Sequence, residues 1–177
     1  MQTEGGLPCG EIDLAYLIAR YSQAVPTKAV IERLAALGPI VEVGSGRGYW
    51  ARLLQDVGGD VIATDSVKPE TNTDYGGLTP WTDVQQATAT DAVTAHPERV
   101  IFSCWPPRSG YMEDVLDIAT QKTLALVTDG KNSIAEAGGL IDPLYDRLER
   151  SWTLSDDDNI AVPRWPCRFD RLMIWRR

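Results

Sequence analysis

The stretch Ile40-Val41-Glu42-Val43-Gly44-Ser45-Gly46-Arg47-Gly48-Tyr49-Trp50 decides the fold. An apolar strand with an acid near its end runs into three glycines at alternate positions, and an amphipathic helix follows. A strand that stops and a helix that begins within a few residues, with a ligand against the turn, need glycine wherever φ is positive or a Cβ would block approach. Gly44, Gly46 and Gly48 meet that need. Downstream, Trp50, Leu53, Leu54 and Val57 share one helical face, and Gly58-Gly59 ends the helix. Val61-Ile62-Ala63 then reads as a second strand leading to Thr64-Asp65. An acid at the tip of the second strand, about 20 residues after the glycine loop, is where strand-loop-helix nucleotide folds grip a ribose hydroxyl pair.

The glycine spacing narrows the ligand. Dinucleotide binders use G-x-G-x-x-G with a pyrophosphate at the helix N-terminus, whereas here the third glycine comes one residue early and Tyr49 takes the dinucleotide position. A phosphate-gripping G-x-x-x-x-G-K-[ST] loop is absent, so kinase and ATPase readings fall away. The acid-x-Gly-x-Gly-x-Gly arrangement with Asp65 downstream resembles the first two motifs of class I S-adenosylmethionine-dependent methyltransferases. The resemblance implies S-adenosylmethionine as cofactor. It places the loop of Gly44, Ser45, Gly46 and Gly48, with Tyr49 and Trp50, against the methionine and ribose moieties. It also puts Asp65 on the ribose hydroxyls and gives Glu42 the amino-acid end or its loop to hold.

The order of elements extends the same architecture. A helix is expected from about Glu11 to Tyr21, with Leu14, Leu17, Ile18 and Tyr21 on one face, and a second after Pro26-Thr27 with Val30, Ile31, Leu34 and Leu37. Lys68 to Pro80 has no periodicity and reads as a lid, a substrate loop or a plain connection. Trp81 to Gln85 is a candidate short third strand, Arg99 to Cys104 a fourth and Thr123 to Thr128 a fifth, with a helix carrying Met112, Val115, Leu116 and Ala119 between the last two. Asp142-Pro143 opens a further helix with Leu144 and Leu148 inward. Trp152-Leu154, Asn159-Val162 and Arg171-Trp175 read as strands with no helix between them, a terminal antiparallel hairpin. The expected fold is α/β: a Rossmann-like, mostly parallel seven-stranded sheet ending in that hairpin, with helices on both faces. One domain is expected over residues 1–177, with N-terminal helices in 1–38 and the core in 39–177.

Composition bounds the partners. At 177 residues and 44% hydrophobic the chain can bury one substantial core. Its start, Met1-Gln2-Thr3-Glu4-Gly5-Gly6, has neither a basic region nor an apolar core, and no apolar stretch approaches the ~20 residues of a membrane span. Cys9, Cys104 and Cys167 are odd in number and lack metal-ligand spacing, and His96 is the single histidine, so neither zinc nor a disulfide framework is expected. These observations give a soluble, cytoplasmic expectation with no membrane partner. A net charge of −8 counts against nucleic acid as a partner. Asp156-Asp157-Asp158 reads as an acidic turn and Arg164, Arg168, Arg171, Arg176 and Arg177 as a basic end, either solvated surface or a site for an anionic partner.

Ligands in open α/β sheets lie beyond the carboxyl ends of the strands, so chemistry is sought there. Ser103-Cys104-Trp105-Pro106-Pro107 ends the fourth strand. Two prolines make a rigid extended corner suited to holding a nucleophile in line with a methyl group. The corner resembles the fourth motif of amino-methyltransferases, but Trp105 stands where that motif carries Asn, Asp or Ser, and Arg108 where it carries an aromatic residue. Methylation of adenine-N6 or glutamine is therefore not carried over. Trp105 is left to stack on an aromatic acceptor, to face the methyl group, or to serve as a packed corner.

Asp129, after the fifth strand, is a candidate base or a turn acid. Cys104, beside Ser103 near the expected adenine edge, reads as packing rather than as a nucleophile. Gln85 and Gln86 are candidates for adenine or its ribose. Tyr16 and Tyr21 either reach over the cofactor or pack, and with Arg108 they make up the acceptor-side candidates. With Tyr21-Ser22-Gln23-Ala24-Val25-Pro26, Val162-Pro163-Arg164-Trp165-Pro166 and Asp170-Arg171-Leu172, these motifs resemble a group of small methyltransferase-like proteins over nearly the whole chain. The function expected is methyl transfer to a small molecule or a protein side chain. The alternatives are a cofactor-binding module without transferase activity and, third, a nucleic-acid methyltransferase.

Overall fold

Every residue of Ile40-Val41-Glu42-Val43 is buried, as a strand covered on both faces requires. The structure, a computed structural model, describes residues 14–71, 78–107, 110–129, 142–162 and 170–177. In chain order the elements are α1 (Leu14–Arg20), α2 (Lys28–Ala35), β1 (Ile40–Val43), α3 (Tyr49–Asp56), β2 (Val61–Asp65), β3 (Gln85–Gln86) and α4 (Ala89–Ala95). There follow β4 (Val100–Cys104), α5 (Tyr111–Ile118), β5 (Thr123–Asp129), α6 (Asp142–Ser151), β6 (Thr153–Ala161) and β7 (Asp170–Arg176). Two helix starts are fixed by side chains: Thr27 Oγ1 accepts from Val30 N–H at 3.2 Å, and Thr88 Oγ1 from Asp91 N–H at 3.1 Å.

The strands form a seven-stranded sheet in the order β3-β2-β1-β4-β5-β7-β6. β1 pairs in parallel with β2 and β4, while β7 runs antiparallel to both β5 and β6. Alternation along the strands divides the core in two. Ile40, Phe102, Ala125 and Ile174 pack with Val30, Leu34, Trp50 and Leu54 from α2 and α3. On the other face Val41, Val43, Ile101, Leu126 and Met173 pack with Val93, Met112, Val115 and Leu148 from α4, α5 and α6. Each such aliphatic side chain contributes on the order of 2 kcal/mol by leaving water.

Three local expectations change. The third strand is only Gln85–Gln86, pairing with Thr64 and Asp65, so Trp81 to Val84 precede it. Trp152-Leu154 and Asn159-Val162 are not two strands, because β6 runs through both with a register break between Leu154 and Asn159 that takes up Asp156-Asp157-Asp158. Among the described side chains the first helix is not fully buried on its expected face: Leu17 and Ile18 are half-buried, and Tyr16 is 56% exposed. Arg108, Arg164, Arg168, Cys9, Cys167 and part of the Lys68 to Pro80 segment lie outside the described residues, as does the Asp129 side chain. Among the described residues no helix is long and apolar enough to cross a membrane.

Candidate functional site

Strand order reverses at β1, whose neighbours β2 and β4 lead away in opposite directions, and a crevice must open beyond the carboxyl ends of β1 and β4. A cleft of about 320 Å³ lies there. Glu42, Gly44 and Ser45 line it from the first strand and its loop, Asp65 and Ser66 from the end of β2, and Cys104, Trp105 and Pro107 from the end of β4. Ile18, Tyr21, Ser22 and Gln23 close it from α1 and the turn that follows.

The loop is built for close approach. Gly44, Gly46 and Gly48 have φ of +68°, +57° and +74°, a region that side-chain-bearing residues seldom adopt. At Gly44 a Cβ would lie 2.8 Å from Tyr111 Oη, and at Gly48 it would lie 2.9 Å from Thr82 Cγ2. Gly46 N–H donates to Asp65 Oδ2 at 2.8 Å and Val67 N–H to Asp65 Oδ1 at 3.0 Å, so the acid after β2 fastens the loop after β1. Ser45 N–H donates to Thr64 O at 2.9 Å and completes that join.

Glu42 is 2% exposed, and its Oε2 has no hydrogen-bond partner. Desolvation, with a smaller contribution from the charge of Asp65, pushes its carboxyl up to about 8. Ser45 Oγ is likewise buried without a partner. Two orphaned polar atoms, one acidic and one hydroxyl, therefore belong to residues that line a single cleft, where a ligand's polar groups can satisfy them. An amino acid's ammonium and carboxylate groups match them. With Asp65 on the same wall, the residues fit an adenosyl amino acid.

Trp105 ends β4 in an unexpected conformation. Its φ is +54°, so the rigid extended corner expected from Pro106-Pro107 is replaced by a left-handed turn. The turn is held by Trp105 N–H donating to Val127 O at 2.7 Å and its indole Nε1 to Asp170 Oδ1 at 2.8 Å. Pro106 is buried and Pro107 faces the cleft. Cys104 Sγ lies 3.7 Å from Ser22 Oγ, and burial pushes its thiol above the ordinary range, which keeps it protonated.

Other expected site residues stand away from the cleft. Trp50 is fully buried against Phe102, ring centroids 5.3 Å apart, and its Nε1 donates to Ala24 O at 3.1 Å. It anchors the turn carrying Ser22 and Gln23 from within the core. Tyr49 packs edge-on to Trp81 at 5.3 Å and to Tyr21 at 5.8 Å. Gln85 is exposed on β3, and Tyr16 points into solvent. Ser103 is buried beneath the cleft: its hydroxyl donates to Val43 O at 3.0 Å, so in its 3.0 Å contact with Tyr111 Oη the tyrosine is the donor.

Sequence reading gave no site role to Arg47, Trp81, Tyr111 or Asp170. Arg47 is 9% exposed, and its guanidinium donates to Ala19 O at 3.0 Å, Arg20 O at 2.9 Å and Thr79 O, tying α1 to the segment before β3. It also lies over the Trp81 ring at 5.8 Å, and Trp81 stacks on Tyr21. Arg47 occupies a variable position inside the glycine motif, where spacing carries no information. Tyr111 follows Gly110 at a helix start, and an aromatic residue there was the available signal.

The reversed β7 between β5 and β6, the switch point at β1 and the glycine loop over it decide the architecture. The chain has the fold of the class I S-adenosylmethionine-dependent methyltransferases. No protein-family model matches the sequence, and no curated protein matches it. Solved structures with this class I fold do. A candidate tRNA methyltransferase of Streptococcus pneumoniae is similar at 18% identity and a TM-score of 0.56, with 86% of this chain and 70% of that one covered.

Magnesium protoporphyrin IX methyltransferase from Synechocystis, with bound S-adenosylmethionine, is similar at 10% identity and 0.53, covering 95% and 86%. TrmK of M. capricolum, with S-adenosylhomocysteine, is similar at 11% and 0.53, covering 86% and 69%. These class I relatives in fold act on different acceptors. The expectation that net charge makes nucleic acid an unlikely partner is corrected by them, since a candidate tRNA methyltransferase shares the fold. The reason is physical: net charge averages over a whole surface, whereas an RNA is met by a local one.

Proposed function

We propose that this chain binds S-adenosylmethionine and transfers its methyl group. The observation that carries the reading is the convergence of Asp65, the buried orphan oxygens of Glu42 and Ser45, and the Trp105 corner on one cleft. The cofactor, when bound, would supply a methyl carbon on a sulfonium, to which an acceptor's lone pair bonds in line as the carbon–sulfur bond breaks and the thioether S-adenosylhomocysteine leaves. The chain's own contribution is binding and orientation. Asp65 offers carboxylate oxygens to the ribose hydroxyls, Glu42 and Ser45 take the amino-acid end, and the β4 corner with Tyr21 and Ser22 bounds the acceptor side. Alignment of this kind supplies much of the rate of a bimolecular displacement.

The acceptor classes in view are a small molecule, a protein side chain or an RNA. A titration with S-adenosylhomocysteine should show binding that weakens by about tenfold or more in Asp65→Ala. Wild-type protein incubated with labelled cofactor should then transfer label to one fraction of a cell extract separated into metabolites, proteins and RNA. No binding, or binding indifferent to Asp65→Ala, defeats the proposal; binding with no labelled product from any fraction favours a cofactor-binding module without transferase activity. The alternative module is motivated by Trp105 standing where amino-methyltransferases carry an amine-binding side chain.

A further inference from the structure

Trp105 is the one non-glycine position with positive φ among the described residues. Residues persist in that region only where their surroundings over-determine them, and such places cluster at functional sites. Here the restraint comes from across the sheet. Asp170, the first residue of β7, is 2% exposed, stands opposite Asp129 in the β5–β7 register, and accepts the Trp105 indole N–H at 2.8 Å. Its own carbonyl accepts Val162 N–H at 3.0 Å, so its backbone is fixed from both sides. A carboxylate on the reversed strand thus reaches the corner after β4 and sets the orientation of an indole that lines the cleft.

We propose that Asp170 is a positioning residue that fixes Trp105 as the acceptor-side wall of the cleft. This rests on the methyl-transfer reading above. The argument is one of geometry. A carboxylate accepts with both oxygens and donates nothing, so it holds the indole N–H in one orientation. With Val127 O holding the backbone of the same residue, Trp105 is tethered at its root and at the tip of its ring, and an acceptor would approach along the face the ring leaves open. A displacement that needs in-line attack loses rate steeply when that wall moves by an ångström.

The test uses the full chain labelled with fluorotryptophan, as wild type, Asp170→Leu, Asp170→Asn and Trp105→Phe, the last assigning the Trp105 fluorine resonance by its loss. Asp170→Leu should move and broaden that resonance while the other tryptophans keep theirs. Asp170→Asn, which retains an acceptor oxygen, should return it toward the wild-type position. With the labelled acceptor fraction, Asp170→Leu should lose ~10- to 100-fold in turnover at saturating cofactor. Its affinity for S-adenosylhomocysteine should stay within roughly threefold of wild type, because the cofactor-side residues are untouched.

Should Asp170→Leu fail to fold, Trp105→Phe, which lacks the indole donor, should reproduce the turnover loss. A Trp105 resonance in Asp170→Leu that coincides with wild type overturns the proposal. So does an Asp170→Asn resonance displaced as far as that of Asp170→Leu, or wild-type turnover in folded Trp105→Phe. Absence of S-adenosylhomocysteine binding by the wild type overturns the proposed function alone, since the resonance still reports whether Asp170 sets Trp105.

Discussion

Gly46 N–H donates to Asp65 Oδ2 at 2.8 Å, so the tip of β2 grips the loop that follows β1. With Val67 N–H on Oδ1 at 3.0 Å, the carboxylate is oriented before any ligand arrives. An ionised carboxylate has about four acceptor sites, so two backbone donors leave capacity facing the cleft. The acid therefore fastens the loop and, on the proposed function, has oxygens left for a ligand.

That double duty separates two substitutions. Asp65→Ala removes both roles and should weaken S-adenosylhomocysteine binding by about tenfold or more. Asp65→Asn keeps one acceptor oxygen and should fall between Ala and wild type, with Gly46 amide exchange faster than in wild type. Calorimetry with hydrogen exchange reads both. Equal affinities for Asn and Ala would show that the ligand, not the loop, needs the acid.

The glycines divide by what surrounds them. Gly44→Ala should cost stability twice over, through positive φ at about 1–2 kcal/mol and through a methyl 2.8 Å from Tyr111 Oη. Gly110→Ala, at φ +81° with nothing within 4 Å of the added carbon, should show the backbone cost alone. Denaturant midpoints for the pair should therefore rank Gly44→Ala below Gly110→Ala. Gly44→Ala should also lose ligand affinity, because displacing Tyr111 disturbs the cleft wall.

Glu42 gives a pH dependence whose sign is opposite to that of a salt-bridged acid. Its carboxyl titrates near 4.5 when unfolded and at about 8 when buried. Between those values the native state keeps a proton that the unfolded state has released, so stability falls as pH rises through this window and levels above it. Glu42→Gln, which does not titrate, should flatten that slope and be more stable than wild type at pH near 8 by a few kcal/mol. Denaturation curves across the window check it. Calorimetry in buffers of different ionisation enthalpy should also show proton release on ligand binding near neutral pH, if an ammonium is what Glu42 receives.

Arg47 joins three chain segments through backbone carbonyls. Arg47→Met keeps much of the apolar stem over Trp81 but frees Ala19 O, Arg20 O and Thr79 O, and should cost about 1–3 kcal/mol. The loss should be local, with amide exchange accelerating in α1 while α2 keeps its protection. Affinity for S-adenosylhomocysteine should drop with it, because Tyr21 and Ser22 reach the cleft from the end of α1.

The sequence by itself determined the sheet's parallel half, the glycine loop and the place of Asp65 at the second-strand tip. Those features rest on local rules: alternation of buried side chains, glycine at positive φ, and caps such as Thr27 act over a few residues and leave a readable spacing. Tertiary structure alone decided the rest. Whether Trp50 faces a ligand or the core depends on Phe102 and Ala24, far along the chain, and so does the partnership of Trp105 with Asp170. Arg47 and Tyr111 meet the cleft, and Trp81 backs Tyr21 beside it, through contacts that no periodicity encodes. The argument from net charge against a nucleic-acid partner failed for a related reason, because a summed charge holds no information about where on the folded surface the charges stand. Spacing records what a residue does to its neighbours in sequence, and the cleft is made of neighbours in space.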